Sequence, residues 1–189
     1  IIAGDDIAAQ IQLQLPLQIK IVASDLGYEQ FIKKFTGMGG IVEAFIDGQQ
    51  KATPSVQCRI NPLGKIDIIS THDQLMGGQD DQVFLGGTFP AAAEYSVEVG
   101  IIARQIATAL KSKGVLGRFG VDFLSVKEDK QWKHYAIEIN LRKGGTTHPF
   151  LMLQFLTNGH YDEANGIFET PNKQQLYYFA SDNVHSDSY

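Results

Sequence analysis

The sequence holds a single cysteine, no apolar run that could span a bilayer and no excess of positive charge. Each scarcity excludes a class of protein. Lone Cys58 cannot close an internal disulfide, so this is no disulfide-stapled scaffold, and one thiol fits a reducing, cytoplasmic setting. Its place in the strand-like run SVQCRI reads as a small buried hydrophobe, not a nucleophile. No stretch approaches the ~18 apolar residues of a membrane helix, so no membrane partner is expected. With 16 Lys and Arg against 21 Asp and Glu, the net charge of −5 leaves no footprint for duplex nucleic acid. A few aimed donors could still form a local anion pocket.

Familiar chemical signatures are missing as well. There is no GxxxxGK[ST] phosphate loop and no GxSxG elbow. The five histidines show no HExxH or other zinc spacing. The GMGG at positions 37–40 precedes a strand-like run instead of opening a helix, which excludes a dinucleotide fingerprint.

What is present is ordinary in bulk: 189 residues, 43% apolar and 20% charged. This suits one domain with a piece of a second, large enough to bury about 70% of its unfolded surface. Starting at Ile1 and ending in SDNVHSDSY, the sequence is expected to be a fragment of a longer protein. Residues 11–22 alternate apolar and polar side chains, which predicts a strand interrupted at Pro16. Asp25 is expected to open a short helix carrying Tyr28, Phe31, Ile32 and Phe35, ended by TGMGG, before a strand IVEAFI. NPLG forms a turn between the strands SVQCRI and KIDIIS. Residues 71–93, with four glycines, read as a long functional loop. A helix over 94–113 buries Val99, Ile102, Ile106, Ala109 and Leu110 and stops at Gly114. Two further strands, RFGVDFLSV and WKHYAIEIN, lead to the loop LRKGGTTH and a helix opened by Pro149 and closed at Asn158-Gly159. Hairpins in place of βαβ crossovers predict an α+β fold, an antiparallel sheet packed against helices.

The last hairpin carries the informative chemistry. Pairing Val126 with Trp132 sets Asp122 opposite Ala136 and diagonal to Glu138, so Asp122, Glu138 and Asn140 share a face as long as no bulge intervenes. Two carboxylates and an amide suit a hard cation such as magnesium. Spacing alone does not separate this from a plain solvated face. Arg118 and Arg142 flank the patch and could balance phosphate charge or pair with surface carboxylates.

These segments in this order resemble the ATP-grasp superfamily. VEAFIDG resembles the strand and hinge that clasp adenine, EINLR after a strand bearing Asp122 resembles the metal and phosphate motif, and GGTTHP resembles the glycine loop of D-alanine–D-alanine ligases. STHDQLMGGQDDQVFLGGTFPA and EINLRKGGTTHPF are similar to carboxylate–amine ligases of the pheganomycin-building type. The resemblance implies an ATP-grasp C-terminal subdomain over residues 38–189, with residues 1–37 a remnant of the preceding subdomain. It implies adenine contacts from Glu43, Ala44, Phe45 and Ile46, magnesium ligands Asp122, Glu138 and Asn140, and catalytic roles for Arg142 and Arg118. ATP and Mg2+ would be required, and small-molecule carboxylate and amine substrates would be joined through an acyl phosphate. A non-catalytic nucleotide-binding module of the same fold is the alternative. Four departures from the family pattern stand out. Gln50 occupies the place of the ribose-binding acid, Arg118 precedes Asp122 by four residues instead of two, Pro149 replaces a substrate-binding serine, and neither Lys20, Lys33 nor Lys34 matches a phosphate lysine.

Overall fold

The computed structural model describes residues 7–21, 26–77 and 83–181. Two compact units emerge, Ile1–Ile46 and Asp47–Tyr189.

The described part of the first unit is helical. Helix α1 (Ile7–Gln18) occupies most of the run expected to be a strand, with Pro16 inside it and no buried side chain. A strand must find a ladder partner to satisfy its N–H and C=O groups, whereas a helix satisfies them within the segment. Leu, Gln and Ala favour that outcome, and Gln18 bonds Gln14 one turn back at 2.9 Å. Val22 and Asp25 lie outside the described residues. Helix α2 (Tyr28–Met38) stops at Gly39, whose φ of 75° few other residues tolerate. The expected strand IVEAFI is absent: residues 39–48 have no ladder, and Val42 and Phe45 are 93% and 87% exposed.

The second unit is built on a seven-stranded antiparallel sheet. Its strands are β1 (Gln50–Ala52), β2 (Pro54–Ile60), β3 (Ile66–Gly77), β4 (Val83–Phe89), β5 (Gly117–Glu128), β6 (Gln131–Asn140) and β9 (Tyr178–Ser181). The order is β1-β5-β2-β3-β4-β9, with β6 along the other side of β5. A small hairpin of β7 (His160–Asp162) and β8 (Ile167–Glu169) stands apart. The glycine-bearing stretch expected to be a loop is mostly sheet, since β3 runs on to Gly77 and β4 pairs back along it.

Alternation along the central strands gives the sheet two unlike faces. Val56, Cys58, Ile60, Phe119, Val121 and Phe123 point to one side and are buried against α3 (Ser96–Ser112). Fully burying such a side chain contributes about 1.5–3 kcal/mol. On α3 the covered stripe is Val99, Ala103 and Ala107, with Ile102, Ile106 and Leu110 at its edges; Ala109, expected inside, is exposed. Small alanines let the helix approach the sheet closely. Cys58 sits in this core with no exposure, as a hydrophobe would. Burial pushes its thiol up to about 12, so it holds its proton and is no nucleophile. Helix α4 (Thr147–Thr157) contributes Phe150 and Leu153 to a second cluster with Phe89 and Phe168. Pro149 lies in its first turn and left-handed Asn158, φ 49°, caps its end.

Candidate functional site

The opposite face of the sheet is polar. Ser55 and Gln57 on β2, His72 and Gln74 on β3, Arg118, Gly120 and Asp122 on β5, and Glu138 and Asn140 on β6 all line one cavity of about 280 Å³. Arg142 and the glycine loop, Gly144 to Thr147, complete its wall. The pairing registers align these residues in rows across four strands. His72 is opposite Ser55, Ser55 opposite Asp122, and Asp122 opposite Glu138. One step along, Ser70, Gln57, Gly120 and Asn140 form the next row.

The β5–β6 register differs from the expected one in an instructive way. The tight turn has Asp129 and Lys130 both at positive φ, 46° and 73°, and it pairs Val126 with Lys133, not Trp132. Carried straight on, that register would turn Glu138 to the core side, away from Asp122. A bulge between the Asp122 and Phe123 pairings leaves Ile137 as the extra residue and restores the shared face. Asp122 is therefore directly opposite Glu138, while His134 and Ala136 fall on the other face. There His134 bonds Ser125 Oγ at 2.7 Å and lies 3.1 Å from Glu98 of α3.

The carboxylate pair is electrostatically strained. Burial, then the neighbouring Glu138, hold the Asp122 carboxyl above the usual carboxylate range, while bonds from Ser55 and Asn140 pull the other way. Asn140 donates its Nδ2–H to Asp122 Oδ2 at 3.0 Å. Two oxygen acids and an amide in one patch match the donor set of a hard divalent ion, whose charge would relieve the repulsion. Among the described residues no group of three or more His, Cys, Asp or Glu could hold a metal ion by itself. The two carboxylates and the amide suit magnesium, which takes one or two carboxylates and completes its shell with water and phosphate oxygens.

Gln57 fastens the glycine loop to the sheet. Its Nε2 donates to Ser70 Oγ at 3.0 Å and to the Thr146 carbonyl at 3.3 Å, and its Oε1 accepts from Thr147 Oγ1 at 3.2 Å. The loop delivers the first turn of α4 to the cavity, where a helix terminus favours negative charge. Sequence reasoning passed over Ser55, Gln57, His72 and Gln74. For Ser55 and Gln57 a signal was available: they alternate with Val56, Cys58 and Ile60 in SVQCRI, as polar residues would on a strand with one wet face.

Not every expected residue lies here. Glu43, Ala44 and Phe45 are exposed and Ile46 half-buried, all without a strand, within the first unit. Gln50 begins β1 opposite Lys127 and is not among the cavity's lining residues. Arg118 and Arg142 both reach the wall.

The IQCH-like ATP-grasp family matches residues 22–164. An L-propargylglycine--L-glutamate ligase of Streptantibioticus cattleyicolor is 29% identical over 150 residues, covering 79% of this chain and 30% of that protein. IQ motif-containing protein H of Danio rerio is 22% identical over 75% of this chain and 13% of its own length. The chain thus spans less than a third of these relatives. Among solved structures, a Campylobacter jejuni biotin carboxylase–βγ-ATP complex overlays with a TM-score of 0.51 at 20% identity, over 66% of this chain and 27% of that one. The α+β sheet with its polar face is accordingly an ATP-grasp fold, and the chain belongs to the IQCH-like ATP-grasp family.

Proposed function

We propose that this chain is the nucleotide- and metal-binding part, residues 38–189, of an ATP-dependent carboxylate–amine ligase. The observation that carries the reading is Asp122 facing Glu138 across adjacent strands, with Asn140 beside them and the glycine loop above. The likeness to a ligase that by its name joins two amino acids supports it.

In this reading Asp122, Glu138 and Asn140 hold magnesium. When bound, magnesium neutralises phosphate charge as the γ-phosphoryl group leaves ATP. Arg142, two residues beyond Asn140, offers a planar cationic fork to the transferring phosphoryl group and the acyl phosphate it forms. An amine then attacks the acyl carbon, the C–O bond to phosphate breaks and the amine proton is released, leaving an amide, ADP and phosphate. The helix terminus and loop N–H groups help to accommodate the displaced phosphate. The protein's contribution is positioning and charge stabilisation.

The deciding assay is ADP release by the full-length protein with ATP, Mg2+ and mixed amino acids. Glu138→Gln should remove turnover by a factor of at least 100 while circular dichroism stays unchanged; unaltered release in that variant contradicts the assignment. A second reading, nucleotide binding without turnover, draws on the family match and on a relative whose name carries no catalytic activity. Heat from Mg·ATP without ADP release in any substrate mixture would favour it.

A further inference from the structure

Two buried side-chain polar atoms lack a hydrogen-bond partner among the described residues: His72 Nδ1 and Arg118 Nη1. Both side chains line the cavity described above. Buried polar atoms are nearly always paired, so two orphans on one wall indicate a partner supplied by a ligand.

Arg118 makes the stronger case. It lies directly opposite Arg59 on the polar face, two cations across one strand pair. Like charges so placed repel. Burial and the Arg59 charge both disfavour the charged form of the Arg118 guanidinium. The ion pairs among the described residues engage neither arginine. A half-buried guanidinium with a cation for neighbour and no counter-ion is costly, and an incoming anion would relieve it.

The nature of the anion follows from position. Four residues of β5 separate Arg118 from Asp122, about 13 Å at the ~3.3 Å rise of a strand. At that spacing Arg118 lies along the polar face, away from a phosphate held at the Asp122–Glu138 row. The ligase reading calls for two organic substrates, and an amino acid that gives its amine to the acyl phosphate keeps its own carboxylate free.

Resting on that reading, we propose that Arg118, backed by Arg59, binds the free carboxylate of an amino-acid acceptor, with His72 bonding the same substrate. Arg118 is then a specificity-determining residue, in place of the transfer role that the family resemblance implies. Guanidinium–carboxylate recognition is bidentate, so lysine should recover only part of it. His72 contributes a neutral hydrogen bond, since burial keeps its imidazole uncharged.

The test uses the full-length protein with Mg2+ and β,γ-imido-ATP, titrated calorimetrically with a mixture of proteinogenic L-amino acids and, separately, with their carboxamides. The acids should bind at least tenfold more tightly than the carboxamides. Arg118→Gln should abolish that preference, Arg118→Lys should restore part of it, and nucleotide affinity should stay within twofold throughout. Equal binding of acids and carboxamides, or no amino-acid heat beside normal nucleotide binding, overturns the subsite. So does an Arg118→Gln variant that weakens the nucleotide and not the amino acid, which would make Arg118 a phosphate contact. Failure of the wild type to bind nucleotide at all would strike the ligase reading itself.

Discussion

Glu138 is exposed and held by no ion pair, so its charge serves the fold little and opposes Asp122. Glu138→Gln should therefore leave stability in EDTA unchanged or raise it by up to about 1 kcal/mol. A urea melt with EDTA checks this, and a loss of 2 kcal/mol or more would make the residue structural. Gln57 behaves oppositely. Gln57→Ala strands Ser70 and Thr147 and should cost about 1–3 kcal/mol, with the glycine loop gaining amide hydrogen exchange. His72 adds a pH dependence. Its burial lowers the imidazole from an ordinary 6.5 to about 3, so the folded state favours the neutral ring. Its contribution is complete above about pH 6.5 and is lost as pH falls from there toward 3, because the unfolded chain takes up the proton first. Stability should fall by about 1.4 kcal/mol per pH unit below that point, and His72→Phe should flatten the slope. At this scale the acids, the amide and both cavity arginines were legible in the sequence from their residue types and the family motif. The bonds of Gln57 to the glycine loop and the place of His72 in the cavity were not, because a buried glutamine or histidine announces its role only through the partners it meets or lacks.

Elements were legible where the sequence carries its own start, stop and partner. SVQCRI, NPLG and KIDIIS lie next to one another in the chain and pair with one another, and α3 carries a helical stripe ended by left-handed Gly114, φ 81°. Residues 11–22 and IVEAFI show strand patterns, but the described part of their unit offers no strand to pair with. Residues 71–93 misled in the other direction, since glycine suggested a loop. Gly86 instead serves a close approach within the sheet: a Cβ there would fall 2.2 Å from the Ala180 carbonyl oxygen, at a φ of 153°. Gly86→Ala should cost about 1–3 kcal/mol and loosen β9 from β4, visible as faster exchange of β9 amides. The β5–β6 turn allows the reverse change. Lys130 holds φ 73°, a conformation costing most residues about 1 kcal/mol, so Lys130→Gly should raise the urea midpoint. A lowered midpoint would mean that the Lys130 side chain, not the turn geometry, sustains the hairpin.

The whole second unit places its apolar and polar halves on opposite sides of one sheet. The α3 side provides the burial that holds the strands together, and the pairing keeps Asp122 and Glu138 opposed despite their repulsion, with Ser55 and Asn140 bonded to Asp122. One bulge decides which side Glu138 belongs to, and no composition or period reveals a bulge. Because the site is strained when empty, ligand should stabilise the molecule strongly. At a hundredfold excess over its dissociation constant, Mg·ATP should add about 2.7 kcal/mol, with a smaller gain in EDTA. The most direct measurement is electron paramagnetic resonance of free Mn2+ during titration of the full-length protein in the presence of ATP. The wild type should deplete the free-ion signal well beyond ATP alone, and Asp122→Asn and Glu138→Gln should each weaken that uptake at least tenfold. Equal manganese uptake by wild type and both variants would contradict the account.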